Sequence, residues 1–212
     1  MELLLMHHTI AWISQTMQWI SDRYIEVIAT VSGLIYLYYS IKGDIKLWFF
    51  GLVSSGLIAF VFFRSKIYAD MGINLYYVVV SIYGWIHWAY YGSEKKKKMP
   101  VTRTSFNEIL ILLVATGVFY LAIAYILINF TDSTVPYLDS FTTAASITAT
   151  WMLARKMLEH WIFWIVIDAF SIGLYIYKGL YPTTVLFLVY TIMAFVGYYQ
   201  WHKQWKEQEA AQ

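Results

Sequence analysis

Apolar residues in this chain come in blocks of roughly 17 to 24, and the charged residues are almost confined to the gaps between blocks. A bilayer core about 30 Å thick takes about 20 residues of helix to cross, so this spacing matches what a membrane demands. A backbone in hydrocarbon must satisfy its own hydrogen bonds, which leaves helices or a closed barrel. The blocks are too long and too uniformly apolar for the alternating strands of a barrel. The expected fold class is therefore an all-α membrane protein.

Composition removes the soluble alternatives. Of 212 residues, 60% are hydrophobic and 13% charged, against about a quarter charged in an ordinary soluble domain. Such a chain cannot cover itself with polar surface. A net charge of +2 gives no basis for a nucleic-acid partner. The lack of cysteine excludes disulfides and thiolate metal sites. No removable signal peptide is read at the N-terminus, so the chain is expected to stay in the membrane as made.

Apolar runs predict seven transmembrane helices: Ile25 to Ile41, Leu47 to Phe63, Tyr68 to Tyr91, Glu108 to Phe130, Asp139 to Leu153, Trp161 to Tyr177 and Tyr181 to Trp201. The fifth is short and rich in Ser, Thr and Ala, so other helices must shield it. The segment before Ser21 is apolar but interrupted, which fits a helix lying in the interface. On alternate sides of seven spans the Lys and Arg residues divide eleven to four. The positive-inside rule then places the N-terminus outside and the C-terminus in the cytoplasm. The Lys95 to Lys98 run is read as a topology signal and solvated loop, with anionic-lipid binding as the alternative.

Sliding the chain against itself by 113 residues superposes Trp48 on Trp161, Phe50 on Phe163, Tyr68 on Tyr181, Tyr77 on Tyr190, Gly84 on Gly197 and Trp88 on Trp201. The shared residues are mostly rare ones and extend over three consecutive spans. Spans one to three and five to seven read as two copies of one unit, and span four restores the second copy to the orientation of the first. Two parallel three-helix repeats joined by a linker helix follow, as in parallel-repeat transporters. The expected organisation is an interfacial segment over 1–24, a first repeat over 25–92, a basic loop and linker helix over 93–138, a second repeat over 139–205 and a tail over 206–212.

A carboxylate at mid-bilayer costs a few kcal/mol, so Asp168, halfway along the sixth span, is expected to face a cavity or a partner. At 100° per residue Trp161, Trp164, Asp168, Ser171 and Tyr175 share one face. Ring faces attract a flat organic cation and a carboxylate neutralises it. Trp164 and Asp168 are read as functional. Trp161 is open between ligand contact and interfacial anchor, since its counterpart Trp48 lies at the same depth. Ser55 and Gly51 stand where Asp168 and Trp164 do, so the copies differ on this face, as an asymmetric substrate requires. Asn74, Tyr77, Ser81 and Trp85 form a second polar line on the third span, which interhelical hydrogen bonding explains as well as substrate binding does. Glu26 and Asp70 sit near span ends, and His87 is read as structural. No paired carboxylates, metal-spaced histidines or Ser-His-Asp set recur among the spans, which argues against an enzyme, a metal site or a cofactor. A transporter is expected, with a receptor or scaffold that binds without moving its ligand as the alternative from another class.

Three stretches, FFGLVSSGLIAFVFF, YADMGINLYYVVVSIYGWIHW and ARKMLEHWIFWIVIDAFSIGLYIYKGLY, resemble the Pnu family of vitamin transporters, whose nicotinamide riboside members are called PnuC. The pair Trp161 and Trp164, placed after Arg155 to Glu159 at the opening of the sixth span, is the most specific part. The resemblance implies a SWEET-like 3+1+3 fold in a bacterial inner membrane. It implies uniport, by facilitated diffusion, of an unphosphorylated vitamin that a cytoplasmic kinase then retains. It also implies association into a homo-oligomer, a trimer being one candidate. The matching binding positions are Trp161, Trp164 and Asp168, with Asn74 and Ser81 on the third span. Nicotinamide riboside members typically carry Asn, Gln and Asn where this chain has Asp168, Asn74 and Ser81. The implied substrate is nicotinamide riboside, with thiamine as the alternative and neutral riboflavin fitting less well.

Overall fold

The structure, a computed structural model, describes residues 23–95 and 98–211. Among them are seven helices: α1 (Tyr24–Lys42), α2 (Lys46–Arg64), α3 (Tyr68–Lys95), α4 (Phe106–Phe130), α5 (Pro136–Ala154), α6 (His160–Tyr177) and α7 (Tyr181–Ala210). Each begins within a few residues of its expected span. Two end later than expected, α3 at Lys95 and α7 at Ala210. The expected interfacial helix falls almost wholly outside the described residues.

The helix ends follow from local chemistry. Ser105 and Glu108 close a capping box at the start of α4, each side chain bonded to the other's backbone N–H. Pro136 opens α5, where its missing N–H is not needed. Gly43 ends α1 in the left-handed conformation, and its N–H and that of Asp44 return to the carbonyls of Ser40 and Tyr39.

Five helices, α1, α2, α4, α6 and α7, are long and apolar enough to cross a membrane. The other two are long enough but more polar. In α5 the reason is plain from its surroundings. Ten of its residues are buried, among them Ser140, Ser146, Thr148 and Thr150. The hydroxyls of Ser140 and Thr150 donate one turn back, to Pro136 and Ser146. Thr148 meets Thr116 of α4 at 2.7 Å. Hydroxyls satisfied inside the helix or across one contact can sit in an apolar bundle at little cost.

Helices α1, α2 and α3 pack in succession, as do α5, α6 and α7; α4 docks on α5. Contacts between these two sets run through α3 with α5 and α1 with α7. An offset of 113 maps one of these cross-contacts onto the other. It also pairs the four residues with positive φ: Gly43 at 60° with Lys156 at 57°, and Lys66 at 60° with Gly179 at 69°.

The two sets meet at the lysine-rich end in a cluster of four tryptophans, none more than 4% exposed. Trp48 stands edge-on to Trp88 at 5.5 Å, and Trp161 edge-on to Trp201 at 5.9 Å, both at 87°. Gly84 and Gly197 make room for them. A Cβ at Gly84 would overlap the Trp48 ring, and one at Gly197 the Trp161 ring. The indole N–H of Trp88 donates to the Ala154 carbonyl at 2.9 Å, while that of Trp201 donates to Ser40 and Ile41 at 3.0 and 3.1 Å. Each set thus caps the end of the other's first helix.

The segment between α3 and α4 is stitched over this end. Thr102 exchanges backbone hydrogen bonds with Lys156 and Leu158. Val101 donates to the Gln208 side chain at the far end of α7. The Glu159 carboxylate receives the Thr104 N–H at 2.8 Å, the Thr104 hydroxyl at 2.7 Å and Arg103 Nε at 3.1 Å. Burial pushes this carboxyl upward, but those donors outweigh it and hold Glu159 below the usual carboxylate range.

Candidate functional site

Between the two sets, beyond the tryptophan cluster, lies a cavity of about 560 Å³, within the usual range for small-molecule sites. One wall is α6. The five residues expected to share a face, Trp161, Trp164, Asp168, Ser171 and Tyr175, all line it. The 3.6-residue period therefore fixed the orientation of α6 correctly. Trp161 is 2% exposed, so interfacial anchoring is ruled out for it. It forms the cavity floor on one side and part of the tryptophan cluster on the other.

Asp168 is 4% exposed and has neither a hydrogen bond nor an ion pair among the described residues. A carboxylate kept in such surroundings without a protein partner is disposed to receive a cation or hydrogen-bond donor from whatever fills the cavity. The indole N–H of Trp161 is likewise buried without an acceptor. Aromatic walls complete the enclosure: Tyr36 from α1, Tyr77 from α3, and Phe187 and Tyr190 from α7. Ser54, Thr142, Thr143 and Ser146 add hydroxyls. Ser54 already donates to the Ala29 carbonyl at 2.8 Å, while Asp168 keeps its acceptors for a guest.

The polar line on α3 does not arrive as a unit. Tyr77 reaches the cavity, but Asn74, Ser81 and Trp85 are not in its lining. Asn74 donates to the carbonyl of Asp70 one turn earlier. Ser81 is buried where α3 packs on α2, close to Gly51. Trp85 is exposed and meets Phe49 edge-on. Ser81 and Trp85 meet α2, at Gly51 and Phe49, so that part of the line faces α2 and not the cavity. His87 stacks on Tyr83, in keeping with its structural reading. Glu26 and Asp70 are exposed.

Several lining residues were not among the expected set. Tyr190 could have been found as the counterpart of Tyr77 at the 113-residue offset. The Ser and Thr content of α5 foreshadowed Thr142 and Ser146. Tyr36 had no signal of its own.

A family model described as "Nicotinamide mononucleotide transporter" matches residues 23–203. The nicotinamide riboside transporter PnuC of Escherichia coli (strain K12) is 23% identical over 202 residues, 84% of this chain and 84% of its own. The PnuC of Neisseria mucosa is 27% identical over 199 residues, covering 86% of this chain and 73% of the relative. The riboflavin/roseoflavin transporter RibM of Streptomyces davaonensis is 23% identical over 196 residues, 90% and 91% of the two chains. Among solved structures, the crystal structure of the vitamin B3 transporter PnuC superposes with a TM-score of 0.70. It is 24% identical and covers 92% of this chain and 87% of that one.

Proposed function

Since the chain belongs to the nicotinamide mononucleotide transporter family, we propose that it carries unphosphorylated nicotinamide riboside across the bacterial inner membrane by facilitated diffusion. The observation that carries this reading is the cavity in which the unpartnered carboxylate of Asp168 stands among Trp161, Trp164, Tyr77 and Tyr190. A flat pyridinium cation fits those walls, because ring faces and a carboxylate both attract it. The names of the PnuC relatives support the same substrate.

The mechanism proposed is uniport through two parallel three-helix units with α4 as linker, all seven helices crossing the membrane. The positive-φ pairs, the reciprocal tryptophan bonds and the paired contacts at an offset of 113 support that arrangement. The eleven-to-four division of basic residues supports an outside N-terminus and a cytoplasmic C-terminus. With one deep carboxylate and no coupling-ion site in the reading, retention falls to a cytoplasmic kinase that phosphorylates the vitamin.

Purified protein in liposomes should equilibrate labelled nicotinamide riboside with no ion gradient applied. Accumulation that needs a proton or sodium gradient would overturn uniport, and binding without uptake would favour the receptor reading. Thiamine, another flat-ringed cation, is the second reading, favoured by the carboxylate at position 168. Competition between the two vitamins in the same liposomes separates them.

A further inference from the structure

Lys156 follows α5 at the lysine-rich end and is 3% exposed, yet it does not line the cavity. It holds the left-handed conformation that Gly43 holds at the matching position. It uses the side chain that glycine lacks to reach back across the seam. Its ammonium donates to the Gly43 carbonyl at 3.3 Å, at the end of α1, and to the Met99 carbonyl at 2.7 Å, in the segment after α3. The same group lies 4.4 Å from the centroid of the Trp88 ring and 6.0 Å from that of Trp201. No carboxylate forms an ion pair with it among the described residues. A buried cation held only by carbonyls and ring faces from three separate segments depends on those segments being together.

We propose that Lys156 is the lock of the inner gate: its ammonium joins the two three-helix units where the tryptophan cluster closes the cavity floor, and this contact breaks whenever the cavity opens to the lysine-rich side. The geometry gives the reason. Trp161 is both floor and seam, so a path from the cavity to that side must part Trp161, Trp88 and Trp201. Parting them separates α1 from α7 and α3 from α5, the contacts that run between the sets. Lys156 sits above that junction with carbonyl acceptors on the first set and on the segment after α3. The crossed bonds from Trp88 to Ala154 and from Trp201 to Ser40 and Ile41 act beside it. Lys156 is thus a positioning residue for transport, acting on the seam and not on the vitamin. The inference rests on the uniport reading above, with the cavity exposed to one side of the membrane at a time.

The chain has no cysteine, so Ser40→Cys introduces a single thiol at a position that lines the cavity near its floor. Membrane vesicles oriented with the lysine-rich end outside are treated with a membrane-impermeant maleimide. With Lys156 in place the thiol should react slowly. Lys156→Met, which keeps the chain length and loses the charged donor, should speed the reaction about tenfold or more. Lys156→Arg, which keeps a cation and its donors, should stay close to the slow rate. Unchanged labelling in a Lys156→Met protein that is monodisperse and still binds nicotinamide riboside overturns the proposal. Should Lys156→Met not fold, Lys156→Gln carries the same test: it keeps a polar side chain at the buried position but loses the charge and is too short to span the Gly43 and Met99 carbonyls. Faster labelling supports the lock and unchanged labelling refutes it. No vitamin is needed for this readout, so failed uptake by the wild type would sink the transport reading without deciding the lock. Normal uptake with unchanged labelling would sink the lock alone.

Discussion

Two buried charges divide the labour in this protein, one at the cavity and one at the seam. Asp168 has room for a guest and no partner of its own, so removing its charge should alter ligand choice more than folding. Asp168→Asn is expected to weaken thiamine binding by about ten- to a hundredfold, the loss of a charge-assisted contact. Nicotinamide riboside binding should be kept or improved, because Asn restores the residue typical of riboside carriers. Titration calorimetry with the two vitamins checks this, and equal affinities in wild type and variant would remove Asp168 from the site. Lys156 is the other: burial first, then the nearby Lys98, lower its pKa from 10.5 to about 8, against an upward pull from Asp44.

At the scale of helices, the tryptophan and glycine partners make a matched pair of tests. Gly84→Ala and Gly197→Ala each drive a methyl group into an indole ring, and overpacking of this kind costs about 1–3 kcal/mol. Similar losses should appear as similar drops in the thermal unfolding midpoint of the detergent-solubilised protein. Tolerance of one with collapse of the other would argue against equivalent packing in the two sets. This level of structure was the most legible in the sequence. Apolar blocks bounded by charges located all seven helices among the described residues, five of them long and apolar enough to cross a membrane. The α6 face was readable because five residues repeat at helical spacing around one carboxylate. The α3 line misled because periodicity fixes which residues share a face but not which neighbour that face meets. Ser81 is on one face with Tyr77, yet it meets α2 at Gly51, while Asn74 bonds back into its own helix. Tyr36 and Thr142 joined the cavity only through the mutual rotation of α1 and α5, which no local pattern encodes. The loop chemistry was hidden for a related reason. Glu159 is far along the chain from the adjacent pair Arg103 and Thr104 and meets them only after folding.

Across the whole molecule, the basic residues gather where the segments after α1, α3 and α5 converge. Gly43, Met99 and Lys156 are in direct contact there, and Val101 bonds to Gln208 near the C-terminus. Reporters fused after Gln212 and in the loop at Lys95 should accordingly read the same compartment, the cytoplasm. Opposite readings would break both the span count and the parallel arrangement. At the offset of 113 the chain has identical residues at the indole and glycine pairs, where packing leaves one solution, and different ones around Asp168. Four of the ten tryptophans are gathered at the seam, one of them beneath a lysine ammonium. Indole emission responds to nearby charge and to water. The protein therefore carries its own optical probe at the seam, and the ultraviolet emission of an unlabelled sample should shift when the seam parts.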